Sequence, residues 1–178
     1  IPESSFNLPK KNLISVFVGG DNNHYSFSKQ ETINLAEKII KLKKNNSMCN
    51  FFILTSRRTS KEIKNILKLK LKGFAKICEE DDKNAYIYSL KFSEFFIVSS
   101  DSTSMISECA FTGKPIYIFH LPFKRISKRL YKFHNLFEKL NITKKLPNDN
   151  VLISWNYESL DESKRIASIV KERIIKEI

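Results

Sequence analysis

The chain has 178 residues, of which 42% are hydrophobic and 28% are charged, and its formal net charge is +12. This length fits one domain with a buried core. Lys, Asn or Ser interrupts each apolar run before the roughly 20 residues that a membrane-spanning helix needs. The composition therefore excludes an integral membrane protein and predicts a soluble, cytoplasmic one.

The chain opens on Ile1-Pro2-Glu3-Ser4-Ser5, which has neither an initiator methionine nor the charged and apolar regions of a signal peptide. We therefore expect residues 1–10 to be a linker from a missing N-terminal domain of the same protein. Residues 11–178 are expected to form the domain itself.

Four short runs of Val, Ile, Phe and Leu predict β-strands at residues 14–18, 51–54, 95–98 and 116–119. None of the four shows the polar alternation of a half-exposed sheet, so both faces of the sheet should be covered. A weaker run at residues 74–78, directly after Gly73, predicts a fifth and shorter strand.

The segments between these runs have the length and apolar spacing of helices. They cover residues 28–44, 60–72, 86–92, 103–112, 123–140 and 161–178. This alternation predicts a Rossmann-like α/β fold, a doubly wound, mainly parallel sheet of about five strands flanked by helices. Ligands of such sheets bind beyond the carboxyl ends of the strands, so the loops there are where a site is expected.

Two of those loops contain residues suited to an anion. Gly19 and Gly20 follow the first strand and would let the backbone offer N–H groups to a phosphate, although a plain tight turn would also contain them. Ser56, Arg57 and Arg58 follow the second strand and precede a helix, whose amino end already favours negative charge.

The hydroxyl-rich segment after the fourth strand carries the strongest signal. Asp101 or Ser102 is expected to cap the next helix, which leaves the hydroxyls and amides of Ser102, Thr103 and Ser104 around its positive end, where a diphosphate would bind. Glu108 lies one turn beyond Ser104 on the same face and is placed to accept hydrogen bonds from ribose hydroxyls. The alternative is a capped helix with a solvated glutamate.

The positive charge is compatible with nucleic acid, an anionic membrane or a phosphate-bearing ligand. Most lysines lie along predicted helices, as they do on solvated faces, so nucleic acid is not an expected partner. A second basic stretch at residues 124–132 is interleaved with Ile126 and Tyr131 and predicts an amphipathic helix able to contact an anionic membrane surface or an acidic partner.

Cysteine and acidic residues give no sign of a metal site. Cys49, Cys78 and Cys109 are odd in number and lack C-x-x-C spacing, so we expect mostly buried thiols rather than disulfides or a zinc site. There is also no Asp-x-Asp pair placed to bind a metal. We therefore expect no metal and no cofactor.

Five motifs in order along the chain resemble the mitochondrial-fission Elm-like proteins of bacteria and plants, which are similar to GT-B glycosyltransferases. The longest is S-D-S-T-S-M-I-S-E-C-A-F-T-G-K-P at residues 100–115, which resembles a glycosyltransferase donor-site signature. The others are V-F-V-G-G at 16–20, L-T-S-R-R-T at 54–59, N-A-Y at 84–86 and W-N-Y-E-S-L-D-E at 155–162.

This resemblance implies the C-terminal half of a GT-B fold, whose ligand is a nucleotide-diphosphate sugar and whose missing half supplies the acceptor site. Glu108 would hold the ribose, Arg57 would neutralise phosphate charge, and Asn84 and Tyr86 would line the base pocket. The full set of donor-binding residues that the resemblance implies is Gly19, Gly20, Ser56, Arg57, Asn84, Tyr86, Ser102, Thr103, Ser104 and Glu108.

Under this hypothesis the full-length protein is a metal-independent glycosyltransferase, and the fragment alone binds the donor without turning it over. A general base, if one is used, would lie in the missing half. A second interpretation is a non-catalytic module that docks on a membrane or on a fission or division partner. A third is a sugar-nucleotide epimerase or hydrolase, because such enzymes share the same donor loops.

Overall fold

A computed structural model describes residues 8–78 and 83–160. Within these residues the chain forms six strands and five helices in nearly strict alternation. The strands are β1 Leu13–Val18, β2 Asn50–Thr55, β3 Ala75–Cys78, β4 Phe95–Ser99, β5 Ile116–Phe119 and β6 Thr143–Lys145. The helices are α1 Lys29–Asn45, α2 Lys61–Lys70, α3 Lys83–Phe92, α4 Thr103–Ala110 and α5 Lys128–Lys139.

All six strands are parallel and lie in the order β3-β2-β1-β4-β5-β6. This is the Rossmann arrangement that the sequence predicted. The order reverses between β1 and β4, which makes the carboxyl ends of these two strands the switch point where ligands of such sheets bind. The loops after both strands carry residues that the sequence singled out.

The apolar strands are explained by a core on each face of the sheet. Along β1, the side chains of Ile14, Val16 and Val18 enter one core, and those of Leu13 and Phe17 enter the other. All six residues of β1 are buried. A strand covered on both faces needs apolar side chains at every position except where a polar group is paired, as Ser15 is with Ser93, their hydroxyl oxygens 2.7 Å apart.

Serine side chains set where three of the helices begin. Ser28, Ser60 and Ser127 each accept a hydrogen bond from the backbone N–H three residues further on. The hydroxyl replaces a partner that the first turn of a helix lacks. The predicted amino ends of α1 and α2 are therefore confirmed to within one residue.

The structure differs from the prediction in one strand and two helices. Helix α3 begins at Lys83, three residues before the predicted start at residue 86. A sixth strand, β6, was missed, because its sequence Thr-Lys-Lys has no apolar run and only its first residue is buried. The predicted helix over residues 123–140 begins only at Lys128. Phe123 instead pairs with Tyr25 in an isolated antiparallel bridge. The predicted helix over residues 161–178 lies outside the described residues.

The segment after β6 packs back onto the sheet edge. The Tyr117 hydroxyl is hydrogen-bonded to the backbone of Ile153, and the Trp155 indole N–H donates to the Asn141 carbonyl over 2.7 Å. The Tyr157 hydroxyl donates to the Lys114 carbonyl. These contacts fix the chain beside β5 and the carboxyl end of α4.

The three cysteines are free thiols, Cys78 and Cys109 buried and Cys49 half-buried, as expected. No helix within the described residues is long and apolar enough to cross a bilayer.

Candidate functional site

The loop after β1 is tied to the loop after β4 by a buried carboxylate. Asp101 has no exposed side-chain surface, and its Oδ2 accepts from the Gly20 N–H at 3.0 Å. Its Oδ1 accepts from the Ser99 hydroxyl at 2.6 Å, and that hydroxyl oxygen accepts in turn from the Gly19 N–H at 2.8 Å. Both glycine amides are therefore used inside the protein, rather than being open to a phosphate in this conformation.

The close approach explains why glycine occupies both positions. A Cβ atom added to Gly19 would lie 2.1 Å from Oδ2 of Asp101, and one added to Gly20 would lie 2.1 Å from the Arg58 carbonyl oxygen. Both distances are far inside van der Waals contact. The glycine pair serves close packing of three loops at the switch point, and its role in ligand binding stays a prediction.

The loop after β2 joins the same assembly. Thr59 is buried, and its hydroxyl is hydrogen-bonded to the carbonyl groups of Val18 and Gly19. Ser56 belongs to the local turn, where its hydroxyl accepts from the Arg58 N–H at 3.2 Å. The Arg58 guanidinium reaches Asp101 at 2.9 Å, although Arg58, like Arg57, is an exposed residue.

Helix α4 begins without a side-chain cap. Ser102 occupies the N-cap position, but its side chain makes no capping hydrogen bond, and Asp101 is committed to Gly20 and Ser99. The prediction that one of these two residues caps the helix is wrong. Among the described residues, the amide N–H groups of Thr103 and Ser104 have no hydrogen-bond partner, which leaves the positive end of the helix open.

An open cleft of about 420 Å³ lies directly on this helix end, between α4 and α5. Helix α4 contributes hydroxyl groups and one carboxylate to the cleft, and α5 contributes one cation and two apolar side chains. The lining residues are Thr103, Ser104, Ser107, Glu108, Arg129, Leu130 and Phe133. The structure therefore brings together three residues that the sequence predicted, Thr103, Ser104 and Glu108.

Glu108 is exposed and anchored at one oxygen. The Tyr86 hydroxyl donates to its Oε2, and the Tyr86 ring stacks on Phe17 with ring centroids 4.8 Å apart. Burial, and secondly the hydrogen bond to Glu108, raise the pKa of Tyr86, so the phenol stays protonated and keeps donating. Asn84 lies exposed near the start of α3 and is not one of the residues lining the cleft.

Arg129 is the site residue that sequence reasoning missed. Its position within a basic stretch suggested a solvated or membrane-facing side chain, but it lines the cleft opposite the α4 hydroxyl groups. The helical periodicity of α5 could have indicated this position. Leu130 and Phe137 are the buried side of α5, so Arg129 falls on the flank of the helix rather than on its outer face.

The cleft therefore has three chemical components, which are an open helix amino end, a guanidinium and a tethered carboxylate. The sequence matches the family model for mitochondrial fission ELM1 over residues 2–174. The chain belongs to this family.

Two curated proteins are similar to the chain over part of their own length. The chain is 31% identical over 168 residues to an uncharacterized protein of Rickettsia prowazekii, which covers 90% of this chain and 46% of the relative. It is 25% identical over 97 residues to the mitochondrial fission protein ELM1 of Arabidopsis thaliana, covering 52% of this chain and 22% of that protein. The chain thus spans less than half the length of either relative.

Among solved structures, the fold is similar to a UDP-GlcNAc 2-epimerase from Neisseria meningitidis, solved bound to UDP-GlcNAc. The TM-score is 0.54 at 13% identity, and the match covers 82% of this chain and 34% of the epimerase. This likeness shows a shared Rossmann-type α/β fold.

A pair of histidines lies between α5 and the segment that leads into α4. Nε2 of His134 on α5 lies 3.0 Å from the carbonyl oxygen of Ser100, three residues before the start of α4, and its ring centroid lies 5.7 Å from that of His120. Burial lowers the pKa of His134, while the contact with Ser100 and the nearby Glu138 carboxylate act in the opposite direction. This contact links the position of α5 to the start of α4.

Proposed function

We propose that this ELM1-family domain binds the diphosphate of a nucleotide-diphosphate sugar in the α4–α5 cleft, as the donor-binding half of a glycosyltransferase-like protein. The observation that carries the proposal is the convergence of the uncapped amino end of α4, Arg129 and Glu108 on one open cleft of about 420 Å³. That volume lies within the roughly 300–1,000 Å³ of small-molecule sites.

Each component has a separate task. The N–H and hydroxyl groups of Thr103 and Ser104 would donate to phosphate oxygens, aided by the helix dipole. The Arg129 guanidinium would meet the same charge from the facing helix, since its planar fork suits two phosphate oxygens. Glu108, one turn further along α4, would accept hydrogen bonds from ribose hydroxyls. No metal is required to balance the diphosphate.

Binding by isothermal titration calorimetry tests this proposal directly. The full chain is titrated with UDP, GDP and their sugar conjugates, and we expect saturable binding of at least one of them. Arg129→Gln should weaken it roughly tenfold or more, because a hydrogen bond to a charged group contributes about 1.5–3 kcal/mol. Lys132→Gln, an exposed cation on the same helix outside the cleft, is the matched control and should change the affinity little.

The same titration tests whether the loops after β1 and β2 take part in binding the nucleotide. Arg57→Gln tests whether this exposed arginine neutralises phosphate charge, as the resemblance implies, beside Gly19, Gly20 and Ser56, which it also assigns to the donor. A loss comparable to that of Arg129→Gln would place the diphosphate between the two loops. An unchanged affinity would restrict it to the α4–α5 cleft.

A second candidate function has its own observation. Ile126 and Tyr131 are 78% and 59% exposed and lie among Lys124, Arg125 and Lys128, a combination that suits an anionic membrane surface. Sedimentation with vesicles containing anionic lipid tests this docking function. Vesicle binding that is lost in Ile126→Ser but kept in Arg129→Gln, with no nucleotide binding, would favour a docking module over a donor site.

A further inference from the structure

Tyr86, which the resemblance assigns to the base pocket, lies on helix α3, outside the residues that line the cleft. Its ring is stacked on the fully buried Phe17 at an interplanar angle of 25°. A ring held against a fixed core residue has little rotational freedom. Its hydroxyl is therefore a fixed donor rather than one that follows its partner.

The partner of this donor is the flexible one. Glu108 is exposed on α4 and would otherwise sample several side-chain rotamers, which costs free energy when a ligand orders them. The hydrogen bond from Tyr86 to Oε2 removes much of that freedom before any ligand arrives. A phenol donating to a carboxylate is a charge-assisted bond, stronger than one between neutral groups.

The geometry leaves the acceptors that a diol needs. An ionised carboxylate has about four lone-pair sites, of which Tyr86 occupies one on Oε2. Oε1 and the second site on Oε2 remain for two further donors. A neutral tyrosine, unlike a lysine or arginine, orients the carboxylate without neutralising it.

We propose that Tyr86 is a positioning residue that holds Glu108 in the orientation that accepts both hydroxyls of a ribose, and so sets the preference of the cleft for ribonucleotides over 2′-deoxyribonucleotides. This inference rests on the proposed nucleotide-binding function and names the specificity of that site. The Tyr86 ring, which sequence resemblance assigns to the base pocket, acts through Glu108 instead of touching the base.

The test compares UDP with 2′-deoxy-UDP, and GDP with 2′-deoxy-GDP, by calorimetry on the full chain. We expect the wild-type chain to bind the ribonucleotide roughly tenfold more tightly, the effect of one hydrogen bond to a charged acceptor. Tyr86→Phe keeps the ring on Phe17 and removes only the hydroxyl. It should lower this ratio to about threefold or less, because the ribonucleotide, with two hydroxyls on Glu108, is weakened more than the 2′-deoxyribonucleotide, with one.

Controls separate positioning from folding. Tyr88→Phe, on the same helix, removes a hydroxyl that donates to the Leu8 carbonyl instead, and should leave the ratio at its wild-type value. Glu108→Gln should bring the ratio close to one, and Tyr86→Phe added to it should have no further effect, because the tyrosine acts through the carboxylate. Urea unfolding verifies that each variant is folded.

The outcomes distinguish this inference from the function on which it rests. Wild-type discrimination that survives in Tyr86→Phe overturns the role of Tyr86 and leaves nucleotide binding intact. An equal loss of affinity for both sugars in Tyr86→Phe also overturns it, since a general structural defect would act on both ligands. A wild-type chain that binds none of the four nucleotides overturns the proposed function and this inference together.

Discussion

Removing the Asp101 carboxylate should be among the most destabilising single changes in this domain. In Asp101→Ala, the buried Gly20 N–H loses an acceptor at 3.0 Å and the buried Ser99 hydroxyl loses one at 2.6 Å. The Arg58 guanidinium also loses its partner, but it is 42% exposed and regains water. The loss therefore comes mainly from two buried donors.

The magnitude follows from those two contacts. Each of the two hydrogen bonds to the charged group contributes about 1.5–3 kcal/mol, and the exposed arginine adds little, so we expect a loss of about 3–6 kcal/mol in the free energy of unfolding. For a domain of this size that corresponds to a melting temperature lower by roughly 10 °C. Asp101→Asn keeps one acceptor oxygen and should lose about half as much.

Urea unfolding followed by far-ultraviolet circular dichroism measures these differences. The dependence of the free energy of unfolding on urea concentration should keep the same slope, while the midpoint of unfolding moves to lower urea. Asp149→Ala, which removes an exposed carboxylate bonded only to the nearby Val151 N–H, is the control and should change stability by less than about 0.5 kcal/mol. A loss below about 1 kcal/mol in Asp101→Ala would refute the view that this carboxylate fixes the switch-point loops.

Two further predictions follow from the same region. Gly20→Ala should cost more than about 2 kcal/mol in urea unfolding, because its Cβ would lie 2.1 Å from the Arg58 carbonyl oxygen, and a near-neutral result would show that the loop moves freely. The lowered pKa of half-buried His134 means that the unfolded chain binds more protons than the folded chain just below the ordinary value of 6.5, so stability should fall as pH drops through that value. His134→Gln should flatten the change in melting temperature between pH 7.5 and 5.5, and identical slopes would contradict the assignment.

Much of the fold could be predicted because its signals are local. The strands β1, β2, β4 and β5 are nearly continuous apolar runs, and serine caps mark the starts of α1 and α2. Local sequence patterns gave the wrong structure where contacts between distant residues determine the conformation. Residues 123–127 keep helical periodicity, yet Tyr25 stacks on Phe123 with centroids 4.6 Å apart and holds it in a bridge.

For the candidate site, the sequence could predict only the relative positions of residues that lie on the same helix or strand. Ser104 and Glu108 could be placed on one face because both lie on α4 and helical spacing is fixed. The residues that complete the cleft come from distant positions, so no local pattern could pair Arg129 with α4. Likewise, the bonds from the glycine amides to Ser99 and Asp101 span about 80 positions in the chain, which is why the loop looked open to phosphate.

A crystal structure of the chain soaked with UDP is the most direct test of the central claim. The account predicts the diphosphate within about 3 Å of the Thr103 and Ser104 N–H groups and of the Arg129 guanidinium, with the ribose against Glu108. A diphosphate bound elsewhere, for instance in the smaller cavity beside Lys64 and Lys68, with the α4–α5 cleft vacant, would contradict it.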